Sequence, residues 1–156
     1  MISKSFSAVR IFFLALLFLA ISGEALAQGS FRGEWIIVDV HSPDWAGNPA
    51  AVKPAPGPGF EGGTVDFRSS EVVSNGALAC RSAVYQILNI RPNEIFQGRA
   101  GTYAEHAAES AGISDNSKTL RVTCGNGESV DYHEAGKSLV VLSGDYLYTL
   151  MREDLR

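Results

Sequence analysis

Three histidines, two cysteines and a few strand aspartates are the side chains of this 156-residue chain that could carry chemistry. His41 stands two positions after Asp39 and three before Asp44, a grouping that a hard or borderline metal could use. His106 lies between Glu105 and Ala107, and His133 ends an alternating run. No two histidines have the i, i+4 spacing, or any other spacing, of metal ligands, so no metal or other cofactor is expected. The plainer expectation puts His41 at a strand end near solvent, His106 on the outer face of a helix and His133 on the polar side of its strand. Nucleophilic catalysis has no signature either. There is no Gly-x-Ser-x-Gly elbow, and nothing beside Ser129 or Ser138 would activate a hydroxyl. Asp39, Asp66 and Asp131 alternate with apolar residues, the usual pattern of a wet strand face. Gly57 to Gly63 has no following Lys-Ser/Thr and opens no helix, so it is not a phosphate loop. A non-catalytic protein is expected. A hydrolase would need His41, Asp39 and Asp44 to converge in one pocket.

Cys80 and Cys124 are the two cysteines, and no Cys-x-x-Cys occurs. An even pair in an exported chain is most simply a structural disulfide. On the chain-entropy model, closing a loop of this length stabilises the fold by roughly 4 kcal/mol.

Export is read from the first 27 residues. Lys4 and Arg10 give a positive start, Ile11 to Ile21 is an apolar run of 11, and Ala25-Leu26-Ala27 offers small residues at a cleavage site. Eleven apolar residues are too few to span a bilayer, which takes about 20. The expectation is a signal peptide over residues 1–27, a single domain over 28–156, and a periplasmic or secreted location with no membrane span after cleavage. Without Lys4, Arg10 and Glu24, 11 basic and 16 acidic side chains remain, a net charge of −5. A mildly acidic domain without a basic cluster is a poor partner for nucleic acid or anionic membrane surfaces.

The elements that must position these residues are strands. Leu120, Val122 and Cys124 alternate with Thr119, Arg121 and Thr123, then Gly125-Asn126-Gly127 marks a hairpin. Val130 and Tyr132, Leu139 to Leu142, and Tyr146 to Met151 continue as three further runs, which makes a four-strand antiparallel meander up to Arg152. Upstream, Glu34 to Val40 reads as a first strand in which Asp39 should face solvent or a partner. Thr64 to Phe67, Glu71 to Val73, Leu78 to Cys80 and Ala83 to Ile90 read as further strands.

Residues 42–63 are irregular, with five of the six prolines and five glycines. Proline removes ladder donors, so this stretch cannot be a central strand. It reads as a flap over one end of the domain, anchored by Trp45 and Phe60. Two short helices interrupt the strands. Pro92 opens one; Thr102 to Glu105 is a capping box for the other, which shows Ala104, Ala107, Ala108 and Ala111 on one face and ends at Gly112. The fold class is mainly β: a single antiparallel meander or barrel of about eight strands with a helical excursion in the middle.

Gly33-Glu34-Trp35 opening the first strand, with Arg152 at the end of the last, resembles the calycin pattern of lipocalins. The resemblance implies that Trp35 closes one barrel end with Arg152 lying across it. The chain departs from a lipocalin in being short and in carrying its helix mid-chain. The layout is also similar to small exported bacterial barrels with two cysteines, some of which inhibit lysozymes or metalloproteases. Cys124, Gly127 and Tyr132 resemble part of a lysozyme-inhibitor pattern, and the metalloprotease inhibitors share the Gly-x-Trp opening. Their disulfide closes a shorter loop, and neither family's functional residues carry over. The expected activity is therefore binding. One reading is recognition of an envelope protein, as its inhibitor or partner, through Trp45, Phe60 and His41. The alternative is a small apolar ligand held inside the barrel. Inward-pointing Phe67, Tyr132 and Leu139 would favour the first.

Overall fold

The computed structural model describes residues 29–43, 62–96 and 104–153. The leader expected over 1–27 lies outside them, as do Asp44, Trp45 and Phe60 of the proline-rich stretch. Contacts divide the chain into Met1–Ser30 and Phe31–Arg156. In the first unit the described residues are Gly29 and Ser30, which form a turn; the account below concerns the second.

Among the described residues nine strands form one antiparallel sheet where about eight were expected: β1 (Gly33–His41), β2 (Thr64–Phe67), β3 (Glu71–Ser74), β4 (Cys80–Arg81), β5 (Val84–Asn89), β6 (Lys118–Thr123), β7 (Ser129–Ala135), β8 (Ser138–Ser143) and β9 (Tyr146–Met151). Between β5 and β6 the described residues include a 3-10 turn (Pro92–Glu94) and a helix, α1 (Ala104–Ser110). The spatial order is β4-β3-β2-β1-β9-β8-β7-β6-β5, so the last strand returns to pair with the first, and the sheet curls into a half-barrel. The four-strand meander runs as its sequence periodicity implies. Its first turn is tied by the amide of Gly127 donating to the carbonyl of Cys124 at 2.9 Å.

The inner face is packed with side chains. Val65, Leu120, Leu139, Val141 and Leu150 are all but inaccessible, and Phe67 meets Tyr132 edge to face with ring centroids 4.8 Å apart. Each such side chain removed from water contributes about 1.5–3 kcal/mol to stability.

Strict alternation from Trp35 and Ile37, both buried, would send Asp39 inward. The β1–β9 register shifts between Ile37 and Asp39, which is a β-bulge. Its extra residue inverts the parity, so Val40 enters the core while Asp39 and His41 are exposed on the outer face. The bulge thereby spares the fold a buried carboxylate.

Between the sheet edges β4 and β5 the backbone ladder is replaced by individual links. Cys80 and Cys124 are disulfide-bonded with Cα atoms 5.3 Å apart. The Gly125 amide donates to Arg81 O at 2.9 Å, and the Tyr85 hydroxyl donates to Glu71 O at 2.7 Å. A Cβ on Gly125 would lie 3.1 Å from that of Ser82, so a larger residue here would push on the Ser82 side chain by a few tenths of an ångström.

A second layer covers part of the outer face. Ile95, Ala108 and Ile113 form a small core with Ile90, Phe96, Ala111 and Ala135. The helix ends in a Schellman motif: Ile113 N–H reaches Ala108 O, Gly112 N–H reaches Glu109 O, and Gly112 takes a φ of +78°. The alanine face of α1 lets this layer sit close to the sheet. Thr119, His133 and Val140 point outward and are nevertheless buried beneath it. This corrects the expectation that His133 lies on a wet face.

Candidate functional site

The bulge in β1 places Asp39 and His41 side by side on the outer face, and Asp39 Oδ2 lies 2.6 Å from His41 Nδ1. Across from them stands α1, whose His106 and Ser110 are exposed. Between α1 and the strands is a cleft of about 360 Å³. Its floor is apolar: Val140 from β8, Leu147 from β9, Ala135 from β7 and Ala107 and Ala111 from the helix. His41, His106, Ser110, Ser138 and Thr149 supply polar atoms around it, and Pro43 also lines it. Its histidines come from elements distant in sequence, brought together because β9 pairs with β1 while α1 packs over β7.

The polar groups here are partly committed. A carboxylate only accepts, so His41 Nδ1 donates to Asp39 and, in the neutral ring, Nε2 is left as an acceptor. The Ser110 hydroxyl donates to the carbonyl of His106 at 2.7 Å, within the helix, and its oxygen lone pairs remain.

Arg121 grips Asp131 with two 2.7 Å bonds between β6 and β7, which raises the guanidinium pKa. Deeper still, His133 Nδ1 lies 2.8 Å from Thr119 Oγ1, with the Phe96 ring edge-on at 5.6 Å. Burial pushes the pKa of His133 down to about 4; Asp131 opposes that shift and Arg121 adds to it. His133 is a neutral packing group beneath the second layer.

The other expected site residues divide as follows. Trp35 is buried, its indole N–H donates to Phe31 O at 2.9 Å, and the Arg152 guanidinium carbon lies 4.8 Å from the ring centroid. Arg152 also donates to Arg32 O at 3.0 Å, so the pair ties the end of β9 to the start of β1. Cys80 and Cys124 form the disulfide. Trp45 and Phe60 lie outside the described residues, and so does Asp44, which the hydrolase reading required. Among the described residues, His41 is the expected binding residue that lines the cleft.

Ala107, Ser110, Val140, Leu147 and Thr149 were not foreseen as site residues. The signal for them was weak but present: Val140 and Leu147 are apolar at outward positions of β8 and β9, which needs a cover or a ligand. Among the described residues no group of three or more His, Cys, Asp or Glu side chains could hold a metal ion. A scan against protein-family models, a search of curated proteins and a search of solved structures each found no match to this chain.

Proposed function

We propose that this chain is an exported, non-catalytic binding protein that recognises a protein of the envelope through the outer face of its sheet. The observation that carries the reading is the contrast between the two faces. The inside is filled by Phe67, Tyr132, Leu139 and their neighbours, whereas a cleft with an apolar floor and a polar rim opens on the outside. A recess beside Ile37, Leu78 and Tyr148 measures about 160 Å³, below the roughly 300–1,000 Å³ that small-molecule ligands occupy. That size weighs against the carrier reading. The disulfide fits an oxidising, non-cytoplasmic location.

The test is capture from envelope extract with tagged protein, comparing wild type with Ser110→Trp. Ser110 is exposed at the end of α1, so an indole there fills the cleft without entering the core. A specific partner should be retained by wild type and lost by the variant. Equal retention by both, or none by either, would overturn the reading.

A further inference from the structure

We infer that Asn75 is a site of spontaneous covalent modification, at which the side-chain amide is lost through a cyclic imide formed with Gly76. This goes beyond the binding reading and does not depend on it. The described residues hold two Asn-Gly pairs, Asn75-Gly76 between β3 and β4 and Asn126-Gly127 between β6 and β7. All four residues are exposed to water. A glycine after asparagine leaves the attacking backbone nitrogen unshielded by a Cβ, so both pairs have the residue types the reaction needs. What separates them is how the reacting groups are held.

In the β6–β7 turn both are engaged. The Gly127 N–H, whose nitrogen would attack, donates to Cys124 O at 2.9 Å. The Asn126 side chain is held at both ends: Oδ1 accepts from Glu128 N at 3.1 Å and Nδ2 donates to Glu128 Oε2 at 2.6 Å. The turn is anchored in addition by the disulfide and by Gly125 N–H on Arg81 O. In the β3–β4 turn the closing bond uses the carbonyl of Gly76, which accepts from Ala79 N at 3.1 Å. That leaves the Gly76 N–H and the Asn75 side-chain amide without partners among the described residues.

The steps balance with water alone. Hydroxide removes the Gly76 N–H proton, and the nitrogen forms a bond to Asn75 Cγ. The Cγ–Nδ2 bond then breaks, and the amide nitrogen leaves as ammonia with a proton from water, which restores hydroxide. Water opens the imide at either carbonyl and leaves an aspartyl or an isoaspartyl residue at position 75. Either product adds one negative charge at the rim of the recess beside Ile37, Leu78 and Tyr148.

The test incubates folded, disulfide-bonded protein in mildly alkaline buffer and follows amide loss at positions 75 and 126 by peptide mass spectrometry. Reduced protein in urea is followed in parallel. In the folded protein Asn75 should convert roughly tenfold or more faster than Asn126, the retardation expected where more than one net hydrogen bond must first be given up. In urea the two should convert at similar rates. Gly76→Ala, compared with wild type in urea where its folding does not matter, should slow conversion at position 75 alone. Equal rates in the folded protein, faster loss at Asn126, an intact Asn75 over a period that converts both pairs in urea, or no slowing by Gly76→Ala would overturn the site.

Discussion

Trp35 holds three interactions at once: its ring is buried, its N–H is bonded to Phe31 O, and Arg152 lies over its face. Truncation to alanine should cost about 3–5 kcal/mol, the range for a core aromatic, read from the denaturant midpoint. Arg152→Ala should cost less, because its share is a cation–π contact of about 0.5–2 kcal/mol plus packing of the stem. An unchanged midpoint in Trp35→Ala would remove this residue from the core account. Tyr85 is a second informative residue. Its hydroxyl bridges to Glu71 across the open seam, and desolvation together with Asp66 and Glu71 raises its pKa to about 12. Tyr85→Phe keeps the ring and deletes the bridge, so a loss of about 1 kcal/mol is expected in urea unfolding. A stability gain would show that the bond contributes nothing to the seam.

At the scale of elements, the seam and the second layer are where the fold depends on single features. Reducing the Cys80–Cys124 bond should lower stability by roughly 4 kcal/mol and accelerate amide exchange first in β4 and β5. Uniform acceleration across all strands would mean that the bond does not act locally. Beneath the second layer, His133 sets a pH dependence whose sign follows from its lowered pKa. The unfolded imidazole takes up a proton near pH 6.5 and the folded one only near pH 4. The contribution of His133 is therefore complete above pH 6.5, declines as pH falls from there to about 4, and is constant below. Across that window wild type should lose roughly 3 kcal/mol relative to His133→Gln in paired urea titrations. Parallel curves for the two proteins would place His133 outside the buried layer. Such burial was not legible beforehand. The alternation of β7 shows which face His133 occupies, while the covering of that face depends on a helix packed from elsewhere in the chain. The four-strand meander, by contrast, was legible from local signals, namely period-two alternation and Asn-Gly. The bulge in β1 escaped notice because Ile36-Ile37-Val38 is continuously apolar and carries no period to break.

For the molecule as a whole, the contact of Trp35 with Arg152 was implied by the resemblance to calycins, whereas the antiparallel sheet and the disulfide could be read from residue types and spacing. The cleft could not, because its walls come from β1, β8, β9 and α1 and meet only when the last strand returns to the first. A filled interior and a polar-rimmed outer cleft are the observations that support the proposed binding through the outside of the sheet. The most direct test is amide hydrogen exchange of the captured complex against the free protein. Added protection is predicted in α1 and at His41, Leu147 and Thr149, with the inward positions around Tyr132 and Leu139 unchanged. Protection centred instead on the turn after β3 and on Leu78, with α1 unaffected, would contradict the account.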